Sequence, residues 1–375
     1  MADGSSRKKA WIWLLLYSLF VIHLSLYPWR FEPGRWKPWT GLLPETRGTW
    51  MDSVANIVLY LPFGLAAFRC FPSLTRVTLA GALLSLSMEC LQMFAPYRDS
   101  SLRDLFCNTL GATLGAVTVL WAQPFLPHRK KQRLDPVEAI FFLCWVLWFT
   151  FPLIPVLRVS AVQSTWASLW HPGWPPSLFA VLDPLLGGWV LGTVLRRRPL
   201  WLLAALAVLP LQGFFLNQTF SVWRVVFAIA GSSVAALLGT PKNPVAAAGL
   251  LCLWLMAREL YPFRLPDADA MPLPFSWVPF EGLLHNGQDS SYRTLFGKMF
   301  LHLSVVWGLR RALPGGPWIV PLAIPVAISF ACEWMQRYLP GRTPEITEPC
   351  LSALAFLLLA LAQGGGRSQS ASQGE

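Results

Sequence analysis

Apolar runs long enough to cross a bilayer recur along the whole chain, beginning with "AWIWLLLYSLFVIHLSLY" at 10–27. A helix needs about 17–25 such residues to span the hydrocarbon core. Lipid offers the backbone no hydrogen bonds, so a chain built of such runs folds as helices that satisfy their own. Apolar residues make up 54% of the 375, and charged ones only 13%, against about 25% in soluble domains. The expected class is all-α, a polytopic integral membrane protein. About twelve candidate spans fall at 11–27, 52–71, 76–94, 104–123, 138–157, 177–195, 199–216, 221–239, 244–261, 294–310, 317–336 and 349–363.

The net charge of +11 is dispersed in short tracts between the apolar runs. "RKK" at 7–9, Arg69 with Arg76, "HRKKQR" at 128–133, "RRR" at 196–198, Lys242 and "RR" at 310–311 mark every second loop. That alternation is a topology signal, not a nucleic-acid footprint, and it places both termini in the cytoplasm. The opposite loops are rich in Trp and Pro, as "TWASLWHPGWPP" shows. Trp favours the headgroup zone, so these loops are read as outer surface anchors. The seven cysteines form no CxxC and no secreted-type framework, and read as small buried hydrophobes. The first apolar run is followed by no A-x-A site and by many further spans, so it reads as a helix that stays.

The chain repeats itself. "LYPWRF" at 26–31 returns as "LYPFRL" at 260–265, and "ECLQMFAPYRDSSLRDLFCNTL" at 89–110 returns as "EWMQRYLPGRTPEITEPCLSAL" at 333–354. Glu89, Gln92, Arg98 and Asp104 thereby meet Glu333, Gln336, Arg342 and Glu348. A fainter copy lies between, with "FP" at 151–152 and Gln212 opposite Gln92, while the acid is replaced by Leu209 and Asp104 by Arg224. The expected organisation is a cytoplasmic tail at 1–10, four-helix units at 11–125, 126–240 and 241–364, and a polar disordered tail at 365–375. Four spans per unit is even, so the units repeat in parallel without inversion.

The first unit resembles the VanZ-like family, through "DSVANIVLYLPFGL" at 52–65, "ECLQ" at 89–92 and "RDSSLRDLFCNTLGATLG" at 98–115. The third unit is a divergent match and the middle one degenerate. The resemblance implies a multi-pass protein of the bacterial cytoplasmic membrane, linked in some members to teicoplanin resistance. It supplies no biochemical mechanism. A phosphotransbutyrylase label carried by some relatives finds no coenzyme A or phosphate loop here.

The polar residues of the first unit collect near the outer ends of its helices. Asp52/Asn56 and Asp104/Asn108 are spaced i,i+4 and Glu89/Gln92 i,i+3, so each pair shares a helix face. Asp52 and Asp104 can serve as helix caps, and Glu89 with Arg98 as a loop-locking ion pair. The sharper reading is an outward-facing pocket. There Arg30 and Arg98 would bind an anionic group, while Glu89 and Asp104 take an amine, a hydroxyl or a cation. Asp52, Asn56, Gln92 and Asn108 complete this candidate set. Lys298, His302, Glu333, Gln336, Arg342 and Glu348 form a second candidate set in the third unit. No catalytic triad, metal motif or cofactor loop is present. The expected partners are membrane lipid and a lipid-linked or glycopeptide ligand, and the leading function is binding of an amphiphile. An enzyme using Glu89 and Asp104 on a lipid headgroup is the alternative, and a transporter the third.

Overall fold

The computed structural model describes residues 4–27, 29–32, 34, 37–38, 50–96, 98–122, 134–153, 159–215, 220–263, 271–282, 289–340 and 342–371. Most of these lie in helices, with no strand among the described residues. Two compact units result, 1–130 and 131–375.

The first unit consists of α1 (Gly4–Leu26), α2 (Trp50–Cys70), α3 (Leu74–Gln92) and α4 (Leu102–Ala122). Within it, Ser53–Cys70, Leu74–Gln92 and Leu102–Trp121 are long and apolar enough to cross a membrane. Their contact with one another is set by small residues. A Cβ on Gly64 would fall 1.9 Å from the Ala112 carbonyl oxygen, and one on Gly111 2.3 Å from that of Ile57. Glycine is therefore what lets α2 and α4 touch backbone to backbone, the means by which helices associate where lipid removes the hydrophobic drive. Tyr60, Phe63, Val77 and Ala116 fill the interior beside them.

The second unit holds α5 (Pro136–Thr150), α6 (Val159–Trp170), α7 (Phe179–Val194), α8 (Pro199–Leu211), α9 (Val222–Leu238), α10 (Pro244–Leu260), α11 (Asp289–Ala312), α12 (Val320–Gln336) and α13 (Thr347–Ala371). Asp135 and Glu138 form a reciprocal capping box at the start of α5, and Asn243 accepts from the Ala246 N–H at the start of α10. Trp145, Phe141, Leu191, Leu255, Phe300 and Leu351 centre the core. Here α7 and α9 approach as α2 and α4 do: a Cβ on Gly188 would lie 2.3 Å from the Ala228 oxygen, and one on Gly231 2.0 Å from the Leu185 oxygen.

Each of the twelve expected spans overlaps a helix. A further helix, α6, occupies part of the Trp-rich loop expected to be a surface anchor. Several helices of the second unit are shorter than 18 residues, among them α5, α7 and α9. The segments read as a middle and a third unit pack together as one compact unit.

Candidate functional site

The polar residues of the first unit serve helix ends. The carbonyls of the last turn of a helix lack intrahelical donors. Arg98 supplies them to α1, donating to Leu24 O at 2.7 Å and Tyr27 O at 3.1 Å, and Gln92 donates to Ser25 O at 2.9 Å. Burial lowers the pKa of Arg98. Glu89 Oε2 accepts from the Ser101 N–H at the start of α4, at 2.8 Å. The expected Glu89–Arg98 ion pair is therefore not formed. Each charge instead meets a backbone group that a helix end leaves unsatisfied.

Of the other expected residues, Asp104 is close enough to Glu89 for their charges to interact. Asn108 donates to Ser85 Oγ at 2.9 Å inside the unit. Asp104 sits in the first turn of α4 beside Arg103, at 3.7 Å. Asn56 is half-buried and Arg30 exposed. The side chain of Asp52 lies outside the described residues.

The second unit repeats the helix-end contacts. Gln336 and Arg342 both donate to Glu259 O, at the end of α10, at 3.1 Å. Glu333 Oε2 accepts from the Glu345 N–H at 3.0 Å, just before α13. A buried network lies alongside. Glu348 joins Lys298 through Oε1 and His302 through Oε2, the latter at 2.8 Å. His302 reaches Ser352 at 2.8 Å, and Ser352 reaches Ser329 at 3.1 Å. Carboxylate oxygens of Glu259, Glu333 and Glu348 lie within 4.8 Å of one another, the separation of a metal-ligand group. Glu348 already meets Lys298 and His302, and Glu333 a backbone donor, so these acids belong to a hydrogen-bonded network built round the Lys298–Glu348 ion pair.

Beside this network the second unit contains a cavity of about 550 Å³. It lies where α5 and α10 end and where α7, α9 and α11 begin. Arg224, Arg258, Arg293, Lys298 and Arg342 line it, against the two carboxylates Asp183 and Glu259. Aromatic walls complete it, from Trp148, Phe149, Trp254 and Tyr261. The arginines are held in place. Arg258 bonds Asp183 at 3.1 Å and lies over the Phe179 ring at 5.3 Å. Arg224 donates to the buried Gln212 and lies 5.6 Å over Phe149. Trp254 donates to the other oxygen of Asp183 at 2.9 Å.

Of the residues expected from sequence, Lys298 and Arg342 line this cavity, and His302, Glu333, Gln336 and Glu348 lie in the adjoining network. Sequence reasoning missed Asp183, Arg224, Arg258, Glu259 and Arg293. A signal existed: "VLDPLLGG" and "LMAREL" place charges inside apolar helices, where ionisable groups are rare and mark sites.

Residues 10–123 match the model of the VanZ/LLP1 family. The first unit is a VanZ-like domain. Protein VanZ of Enterococcus faecium is 24% identical over 139 residues, which cover 36% of this chain and 83% of that protein. No solved structure matches. The VanZ-like segment ends before the second unit begins, so the cavity lies outside the matched residues. Together with the apolar helices, the VanZ-like assignment marks a membrane protein.

Proposed function

We propose that this chain is a multi-pass protein of the bacterial cytoplasmic membrane that binds the polar head of an amphiphile in the cavity of its second unit. One observation carries the reading: a cavity of about 550 Å³ among the helices of the second unit, lined by seven charged side chains. Ionisable groups gathered within an apolar bundle are costly and face cavities or partners. Aromatic and charged walls together suit a ligand with a polar head and an apolar body. A contribution to glycopeptide tolerance, which the family resemblance implies, is the phenotype to score.

Three turns support the internal repeat. Trp29, Leu153 and Phe263 each follow a Tyr-Pro or Phe-Pro pair, and each has positive φ, at 62°, 64° and 56°. Each donates its N–H back to the helix before it, to Leu26, Thr150 and Leu260. Positive φ is uncommon for bulky residues, so its recurrence at matching positions argues for one ancestral unit used three times. Twelve spans with both termini inside is the topology we infer from the basic tracts.

Native mass spectrometry of the protein released from its own membranes tests the binding. Ala180 lines the cavity and is small. Wild type should carry an amphiphile that Ala180→Trp loses while remaining folded. Equal retention by the filled variant would contradict the reading.

A further inference from the structure

The first unit contains a polar nest among its apolar helices. Ser85, Glu89 and Asn108 are buried in it, and Tyr60 is wholly enclosed. Asn108 Nδ2 donates to Ser85 Oγ at 2.9 Å, and Tyr60 lies close to both Ser85 and Glu89. Two of its oxygens, Tyr60 Oη and Asn108 Oδ1, have no hydrogen-bond partner among the described residues. Buried polar atoms are nearly always paired, so two unpaired oxygens in one nest point to a ligand. The second unit shows what such a nest takes. Glu333 accepts a backbone N–H just before the next helix as Glu89 does, and Ser352 meets Ser329 as Asn108 meets Ser85. There a cation is built in: Lys298 of α11 bonds Glu348, and its charge acts on Glu333 as well. The helix that brings Tyr60 to the first nest, α2, has a single basic residue, Arg69, in its last turn. The charge acting on Glu89 is instead that of another acid, Asp104. Asp104 is the outermost member of the nest, 24% exposed and flanked by Arg103. Glu89 and Asp104 stand at the ends of two helices of spanning length, the level at which lipid headgroups lie.

We propose that this first-unit nest binds a primary ammonium group, the chemistry that Lys298 supplies from within the chain in the second unit. A primary ammonium has three N–H donors and no acceptor. Glu89, Asn108 Oδ1 and Tyr60 Oη offer it three oxygens from three helices, α3, α4 and α2. Glu89 supplies the opposite charge, and the other two oxygens fix the direction of approach. A quaternary ammonium carries the same charge but has no N–H to give them. The ammonium belongs to an aminoalkyl headgroup or to a free amine, and it enters past Asp104. The site lies in the first unit and does not depend on the second-unit cavity.

Calorimetric titration of the purified full chain in mild detergent tests this with four probes: dihexanoyl phosphatidylethanolamine, dihexanoyl phosphatidylcholine, ethylamine hydrochloride and magnesium chloride. The ethanolamine lipid should bind at least about ten-fold more tightly than the choline lipid, which has the same charge without the N–H groups. Glu89→Gln and Tyr60→Phe should each weaken it by about ten-fold or more, and Arg69→Gln, exposed in the last turn of α2, should leave it unchanged. Glu89→Gln keeps an oxygen for the Ser101 N–H. Should it still lower the melting temperature too far, Tyr60→Phe, which removes a hydroxyl alone, decides. Ethylamine binding as tightly as the lipid, with the same sensitivity to Tyr60 and Glu89, supports the site and assigns its source to a free amine. Equal binding of the two lipids, or binding that neither variant weakens, overturns the inference. Magnesium binding without amine binding overturns it too, as does binding of no probe. The amphiphile reading of the second unit is decided separately, by the co-purification experiment with Ala180→Trp.

Discussion

His302 Nε2 and Glu348 Oε2 meet at 2.8 Å with exposures of 0% and 1%. Glu348 also holds Lys298, so one carboxylate anchors two groups of α11 to α13. Removing the carboxylate leaves the buried His302 without its partner and the partly exposed Lys298 without its counter-charge, a loss of about 1–3 kcal/mol. Glu348→Ala should therefore destabilise the second unit strongly. Lys298→Met combined with Glu348→Leu should recover much of the loss, because it removes both charges. Chemical denaturation in detergent measures both, and a double variant as weak as Glu348→Ala would show that the pair is not the cause.

The glycine contacts give a second expectation. An added methyl at Gly64 or Gly111 meets a carbonyl oxygen at 1.9 or 2.3 Å, so α2 and α4 must part. Overpacking of this kind costs about 1–3 kcal/mol. Gly64→Ala and Gly111→Ala should each lower the thermal midpoint. Gly188→Ala and Gly231→Ala should do the same in the second unit. Gly173→Ala, with nothing within 4 Å, should be silent in the same melt.

Gln212 supports a prediction opposite to the one its place in the repeat suggests. The middle segment reads as a degenerate copy, in which a change at Gln212 would be tolerated. Gln212 is fully buried and accepts from Arg224, which lines the cavity. Gln212→Leu should spare expression yet weaken ligand retention, because Arg224 loses its support. Gln212→Glu, which keeps the acceptor, should retain more ligand than Gln212→Leu in native mass spectra. Equal retention by both would remove Gln212 from any positioning role.

What could be read from sequence was the helical framework. Apolar run length located α1–α5 and α7–α13 because lipid imposes one secondary structure. Trp166 and Trp170 were read as interfacial anchors, and the local helix α6 beneath them has no apolar run of spanning length to announce it. The equivalence of Gln92 with Gln336 was legible too, since both serve a preceding helix end, at Ser25 and Glu259. The cavity was not. Arg224 looked like the loss of an acid, and Asp183, Arg258 and Arg293 match nothing in the first unit. Their meaning depends on α7, α9, α10 and α11 converging, which spacing along the chain does not encode.

Topology yields a further expectation. In a cysteine-free background, Asp99→Cys and Thr343→Cys, both exposed, should react with an impermeant thiol reagent added outside the cell. Arg197→Cys, in a basic tract, should react only after the membrane is opened. Labelling of positions 99 and 343 from opposite sides would contradict a parallel repeat.

The central claim is that the second-unit cavity holds the polar head of an amphiphile. The most direct measurement is a cryo-electron microscopy map of the chain in nanodiscs formed from its native membrane. The account predicts headgroup density inside the cavity, walled by Trp148 and Trp254 and continuous with a tail in the lipid. A well-resolved cavity holding only water, with lipid density confined to the outside of the helices, would contradict it.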